Sequence, residues 1–169
     1  MWSLLKARRS RPQARVVTLP IEYRLRAILL SSNICGVLID WSSEFDDFLS
    51  RLEESAAAGN AVDRLRLDLL LAELQVLADL EEPPVVESAT LKRVRQSKRY
   101  VVWRVSHPYR EGVAVRLIVW FPDDEHVVVA LFSGDKARMG DVFYDSVGPR
   151  ADAAIEAWKR QTETERGEG

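Results

Sequence analysis

Basic side chains are spaced along the apolar segments between residues 91 and 138, and their chemistry is that of phosphate binding. Residues 88–138 contain ten lysines and arginines against five aspartates and glutamates, a local balance of +5. A guanidinium group can bind two phosphate oxygens at once, and an ammonium group acts as a point charge. The pattern therefore favours an anionic partner, with RNA as the first candidate. The alternative is that these charges only solvate the surface of ordinary elements.

Two of these arginines fall where strand alternation places them on one face with aromatic residues. In residues 113–121 the odd-numbered positions share a valine-rich face, and the even-numbered positions share the other face. If the valine-rich face packs on helices, the other face is open and combines phosphate binding with base stacking, which suits single-stranded RNA. The residues expected on this open face are Tyr100, Arg104, Arg116 and Trp120. For each arginine the alternative is a salt bridge, for example to Glu111 or Asp135.

Charge is unevenly distributed along the chain, and few residues could bind a metal. The 169 residues carry a formal net charge of −2, yet residues 37–87 hold thirteen acidic residues against three basic ones, a balance of −10. Acidic helical surfaces of this kind aid solubility. The single cysteine, Cys35, excludes an internal disulfide framework and a cysteine-based zinc site. The two histidines, His107 and His126, give no metal-ligand spacing, so we expect no metal and no other cofactor.

The composition predicts one domain with an appendage at each end. Residues 1–36 form a basic extension that we expect to be mobile, since its apolar run is too short and too interrupted for a signal peptide. Residues 37–160 form the domain, and residues 161–169 a polar tail. No segment reaches the roughly 18–20 continuous apolar residues of a membrane span. We therefore expect a cytoplasmic protein with no membrane partner.

Hydrophobic spacing predicts one strand and two helices in the first half of the domain. Residues 37–41 are β-formers, and a serine pair after them offers a helix N-cap. Apolar residues at helical spacing then predict a helix ending at Gly59 and a second helix over residues 61–80, which two prolines terminate. A short turn between two such helices is typical of an antiparallel helix pair.

The second half changes to the two-residue period of strands. Residues 100–106, 113–121 and 126–132 are predicted strands with short connections, which favours antiparallel pairing. A short C-terminal helix is expected to open at Pro149. The predicted fold is α+β, in the order β-α-α-β-β-β-α: an antiparallel twisted sheet with two helices on one face and a short C-terminal helix.

This order, together with particular residues, resembles the RelE/ParE-like toxin superfamily, and more closely its HigB-like, phage-associated branch. The resemblance covers residues 37–158. Its pieces are Trp41 with Phe45, Phe48 and Leu49, then the runs Leu91-Lys92-Arg93-Val94, Val102-Trp103-Arg104-Val105, Val115-Arg116-Leu117-Ile118 and Val129-Ala130-Leu131-Phe132, and finally Asp135-Lys136. Each piece is unspecific by itself, and the match lies in their order and spacing.

The resemblance implies a RelE-like fold and the toxin component of a type II toxin-antitoxin system. Such a toxin is a metal-independent endoribonuclease, a hydrolase that cuts mRNA on the ribosome, and a cognate antitoxin, here expected to be a helix-turn-helix protein, neutralises it. The positions that the resemblance makes catalytic are Lys92, Arg104, Arg116, Lys136 and Tyr144. The positions left to bind RNA are Arg93, Arg95, Lys98, Arg99, Tyr100, Trp120 and Arg138.

Two alternatives to a catalytic toxin stay open. Some HigB-like proteins use a C-terminal histidine, but this chain has no histidine after His126. A non-catalytic RelE-fold regulator that binds RNA or protein would not need one. A ParE-like gyrase inhibitor would need no catalytic residues at all.

Overall fold

The computed structural model describes residues 37–105, 112–122, 127–135 and 142–167. These residues form an α+β fold of five strands and three helices. In chain order the elements are β1 (Leu38–Trp41), α1 (Ser43–Ala57), α2 (Ala61–Ala78), β2 (Leu91–Arg93), β3 (Val102–Val105), β4 (Val115–Trp120), β5 (Val127–Asp135) and α3 (Val142–Gly167). No helix within the described ranges is long and apolar enough to cross a membrane.

Polar caps set the beginning of α1 and of α2. The Ser42 hydroxyl accepts a hydrogen bond from the Phe45 amide at 3.2 Å and donates one to the Leu131 carbonyl of β5 at 2.5 Å. The same side chain therefore caps a helix and ties that helix to the sheet. Asn60 caps α2 by accepting from the amides of Val62 and Asp63. Both helices lie where the hydrophobic spacing predicts them.

The sheet is mixed, which corrects the expectation of a purely antiparallel sheet. Its strand order is β1-β5-β4-β3-β2, and β1 runs parallel to β5 while the other neighbours are antiparallel. A parallel pair needs a long crossover, and everything from α1 to β4 provides it. The sheet also gains a strand that the period-two pattern did not predict, because β2 has only three residues and pairs at the edge with β3.

Each face of the sheet is buried under helices. The helices α1 and α2 cover the face that carries Trp103, Leu117 and Val119, and the valine-rich face of β4 lies here as predicted. The opposite face carries Ile118, Trp120 and their neighbours, and α3 packs across it. The alternation of side chains is therefore confirmed, but the second face is a second hydrophobic core.

Helix α3 is longer at both ends than the predicted C-terminal helix. It has 26 residues, begins seven residues before Pro149 and continues through the predicted polar tail to Gly167. Proline is favoured in the first turn of a helix, which is why the predicted start was placed there. Burial of Val147 and Ala151 on either side of Pro149 explains why the helix tolerates an interior proline.

Gly148 allows α3 to approach the turn that follows β2. A Cβ atom added at Gly148 would lie 2.2 Å from the backbone oxygen of Gln96 and 2.8 Å from the backbone nitrogen of Ser97. These are backbone atoms, so a side chain there cannot be accommodated by a change of rotamer. The absence of a Cβ at this position therefore sets how closely the helix packs.

Replacement Gly148→Ala tests this contact, because the close approach decides whether the free energy of unfolding rises or falls. Alanine in a helix interior is normally about 1 kcal/mol more favourable than glycine. Here we expect a net destabilisation of about 1–3 kcal/mol, because the new methyl group overpacks the contact. The free energy of unfolding from urea titration measures it, with Glu163→Ala on the exposed side of α3 as the control. A more stable Gly148→Ala protein would contradict the close contact.

Candidate nucleic-acid interface

Three cationic side chains lie on neighbouring strands of the face that α3 covers. Lys92 of β2 is directly opposite Arg104 of β3, and Arg104 is opposite Ile118 of β4. Arg116 precedes Ile118 by two residues and so shares its face. We call Lys92, Arg104 and Arg116 the basic row. All three side chains are half-buried, whereas Ile118 beside them is fully buried.

The register places these charges close together. Directly opposed residues of antiparallel strands have Cβ atoms about 4.5–5.5 Å apart, and diagonal neighbours about 7–8 Å apart. Lys92 and Arg104 are like charges at such a separation, and like charges this close repel where no counter-charge lies between them. An anion bound over the row would offset that repulsion. This is the electrostatic argument for a ligand here.

Arg116 is held by the backbone and retains a donor. Its Nη1 atom donates to the carbonyl of Val115 at 2.6 Å, and Ser133 donates to the Arg116 carbonyl at 3.2 Å. Its Nε atom is buried and has no hydrogen-bond partner within the described structure. A buried donor without a partner costs about 1–3 kcal/mol, and the guanidinium charge of Arg116 remains available to an anion.

A pocket of about 150 Å³ lies beside the basic row. It is enclosed by the end of β2 with its following turn, the middle of β3 and β4, and the first part of α3. Its buried lining is apolar and consists of Val94, Ile118 and Val147. Its more exposed lining is polar and consists of Arg93, Arg95, Gln96 and Arg104. Arg104 therefore belongs both to the basic row and to the pocket.

The predicted open face for base stacking is not open. Trp120 is only 6% exposed, because α3 lies over it. Its ring makes edge contacts with Tyr100 and Trp158, with centroids 5.6 Å apart in each pair. The Lys159 ammonium lies 5.0 Å from the Tyr100 ring centroid and 5.6 Å from that of Trp120. These contacts leave no free face of Trp120 for a base.

Two of the residues expected to bind RNA hold α3 in place instead of standing free. The Tyr100 hydroxyl donates to the Glu156 carboxylate, and the Arg99 guanidinium pairs with the same carboxylate at 2.8 Å. Ser97, in the same turn, donates to Asp152 at 2.7 Å. Asp152 and Glu156 are four residues apart and so share a helix face. That spacing opposite a basic turn is the signal that could have predicted this contact from the sequence.

The remaining predicted residues divide between the pocket and other places. Arg95 lines the pocket, and Arg93 does so with its guanidinium carbon 5.8 Å from the Trp103 ring centroid. Lys98 is exposed in the turn before β3. Tyr144 belongs to the first turn of α3, and its predicted catalytic role stays a prediction. Outside the described residues lie Lys136, Arg138, His107, His126 and residues 1–36.

The hydrogen bond from Tyr100 lowers the pKa of the Glu156 carboxyl below its usual value. Partial desolvation opposes this change, and the positive charges of Arg99, Lys159 and Arg160 reinforce it. The carboxylate therefore stays ionised at neutral pH, between Tyr100 and the surrounding cations. It joins the turn before β3 to the middle of α3.

Comparisons of the chain with protein-family models, curated proteins and solved structures find no match. The resemblance to the toxin superfamily therefore stays a prediction from the sequence. What the structure itself defines is an α+β domain with a basic row and a small pocket at one end of a covered sheet face.

Replacement Glu156→Gln tests the attachment of α3 through its pH dependence. A carboxyl with a lowered folded-state pKa stabilises the fold above its unfolded pKa, and that stabilisation is lost as the pH falls through the folded pKa. We expect the wild-type chain to be more stable than Glu156→Gln at neutral pH. The difference should shrink toward about pH 3, below the ordinary range of a glutamate. Urea unfolding at both pH values measures it.

The matched control for this pH dependence is Glu163→Gln, which alters an exposed carboxyl on the same helix. Its difference from the wild-type chain should be small at both pH values. An equal loss of stability in the two variants at neutral pH would show that Glu156 contributes only through net charge.

Proposed function

We propose that this protein binds single-stranded RNA through the basic row. The observation that carries the proposal is the register of β2, β3 and β4, which brings Lys92, Arg104 and Arg116 to one face of the sheet. The phosphates of a strand laid across these three strands would meet one cation after another. Neutralisation of phosphates by lysine and arginine supplies most of the sequence-independent affinity for nucleic acid.

The chemistry we propose for the bound strand is cleavage by the RNA itself. The 2′-hydroxyl oxygen attacks the adjacent phosphorus, the bond to the 5′-oxygen breaks, and a 2′,3′-cyclic phosphate and a 5′-hydroxyl remain. Arg104 and Arg116 would stabilise the extra negative charge on the pentacovalent phosphorus. A base must remove the 2′-hydroxyl proton and an acid must protonate the leaving oxygen. The resemblance offers Tyr144 for one of these two roles, and it places Lys136 among the cations that would stabilise the phosphorus centre.

At the level of the cell, we propose the toxin component of a type II toxin-antitoxin system, acting on mRNA at the ribosome and neutralised by a helix-turn-helix antitoxin. The support is the RelE-like order of a strand, two helices and a run of antiparallel strands, with both helices on one face. The RelE-like topology is part of this proposal. The long α3 is the main departure from the predicted domain.

A non-catalytic RNA-binding regulator is the second candidate. Two observations favour it: α3 covers Trp120, and the polar residues lining the pocket are three arginines and one glutamine within the described structure. None of these four is an ordinary general base at neutral pH. The two candidates share the basic row and differ only in the chemical step.

Alanine replacements in the basic row should weaken RNA binding and its salt dependence together. Each lost phosphate contact should lower the slope of log affinity against log salt by about 0.7 for a single strand. We expect Arg104→Ala and Arg116→Ala each to weaken binding about tenfold at moderate salt. Fluorescence anisotropy with a labelled oligoribonucleotide over a salt series measures both quantities, and thermal unfolding confirms that the variants are folded.

Arg51→Ala is the matched control for these replacements. Arg51 is an exposed arginine of α1, which packs on the opposite face of the sheet. Its removal lowers the net charge equally but should leave the affinity nearly unchanged. An equal loss in Arg51→Ala and the row variants would mean that RNA is attracted by overall charge, and the assigned interface would be wrong.

Cleavage is tested with the purified chain, an mRNA and ribosomes. A chelator that removes transition metals, but leaves the magnesium that ribosomes need, is present. We expect fragments with 2′,3′-cyclic phosphate and 5′-hydroxyl ends, and growth arrest when the gene is induced in cells. The double replacement Arg104→Ala, Arg116→Ala should abolish both. Growth arrest that persists in the double variant would contradict the catalytic assignment.

The same experiments separate the other candidates. RNA binding without arrest or fragments would select the non-catalytic regulator. Arrest with DNA damage and intact mRNA would select a ParE-like gyrase inhibitor. The partner to isolate next is the antitoxin after mRNA cleavage, RNA after binding alone, and gyrase after DNA damage.

A further inference from the structure

The pocket beside the basic row has an apolar bottom and a rim of arginines. Phosphate binding alone would need only the arginines. The bottom is formed by Val94, Ile118 and Val147, which are all buried side chains. A phosphate group gains nothing from a branched aliphatic surface, because desolvating its charge there is costly. The apolar bottom therefore suits an uncharged part of a ligand, while the arginines at the rim suit an anionic part.

The size of the pocket limits what can enter it. Its volume is about 150 Å³. A protein cavity of about that size holds one benzene molecule. One six-membered ring with its small substituents therefore fills the pocket, whereas a two-ring system would extend out of its open side.

We propose that this pocket binds a single unstacked pyrimidine base of the RNA strand whose phosphates lie on the basic row. The inference rests on the proposed function, since the row supplies the neighbouring phosphate site. Arg104 lines the pocket and belongs to the row, so the base and its own phosphate would be bound side by side. The ring lies on Ile118 and Val147, which bury its apolar face.

Polar groups at the rim provide the contacts that a pyrimidine edge requires. The Gln96 side chain is exposed at the pocket edge and offers both an amide donor and a carbonyl acceptor. Its backbone carbonyl faces Gly148, so the turn that carries Gln96 is fixed against α3. Guanidinium planes at the rim can stack on a base, as arginine does in single-stranded RNA recognition. The pocket thus replaces the stacking surface that α3 covers at Trp120.

The proposal predicts that pyrimidine nucleotides bind better than their sugar phosphate alone. We expect CMP and UMP to bind the full-length protein at least tenfold more tightly than ribose 5-phosphate, since one stacked base contributes about 1–3 kcal/mol. AMP should bind no better than ribose 5-phosphate, because its two-ring base does not fit. Isothermal titration at low salt, with inorganic phosphate as a further probe, measures the series.

Two replacements locate the bound base. Val147→Phe fills the pocket and should remove the preference for CMP over ribose 5-phosphate, whereas Val62→Phe adds the same ring at an exposed position of α2 and should not. Gln96→Glu changes only the exposed rim and keeps the core intact. It should lower the affinity for CMP about tenfold more than Gln161→Glu does. The control adds the same charge near the end of α3.

The outcomes separate this inference from the proposed function. If oligoribonucleotides bind and lose affinity in the basic-row variants, but CMP binds no better than ribose 5-phosphate, the base pocket is wrong and the basic row stands. If AMP binds as tightly as CMP, the size limit is wrong and with it the pyrimidine assignment. If neither RNA nor any nucleotide binds, the proposed function itself fails. Loss of CMP binding in Val147→Phe and Gln96→Glu, with both controls unchanged, supports the pocket.

Discussion

The packing of α3 across the second face of the sheet is the contact on which the rest of the structure depends. It buries Ile118, Trp120 and Phe132 from the strands against Val147, Ala151 and Ile155 from the helix. Polar contacts also hold the helix at the β1 edge of the sheet. Arg150 donates to Glu44 of α1, and Trp158 donates to Asp40 of β1. Buried on both faces, the central strands β4 and β5 are held rigidly, which a site built on strands requires.

This packing divides one sheet face into two functional halves. Where α3 lies over the face, aromatic and aliphatic side chains form a core. Where the face extends toward Lys92, Arg104 and Arg116, the side chains are cationic and half-buried. Partial burial strengthens their field, since charges near a low-dielectric surface are screened less than charges in water. The acidic helix α1 lies on the other side of the sheet.

Local pattern predicted the elements well and the sheet environment poorly. Helical spacing and the Ser42 cap define α1, and alternation along β4 correctly separates Leu117 from Ile118. Strand alternation states which residues share a face, but it cannot state what covers that face. The second face is as apolar as a core, since it carries Ile118, Trp120 and Leu131. The helix that covers it, α3, lies far along the chain and contains Pro149, a residue that is common at the start of a helix. The face that the sequence predicts to be open is therefore covered through long-range packing, which local pattern does not show.

The covered tryptophan changes how base recognition would work in the proposed RNA complex. An open aromatic surface would stack any base, because every base has a π-face, and would give binding with little sequence preference. A pocket of limited volume would discriminate by shape, and polar groups at its rim would discriminate by the edge of the base. Helix α3 covers Trp120 and leaves a small pocket between Val147 and the turn at Gln96. In the proposed complex, this pocket would select one base in place of a general stacking surface. In the proposed complex, phosphate binding on the basic row and base selection in the pocket would share Arg104, and one side chain would couple affinity to specificity.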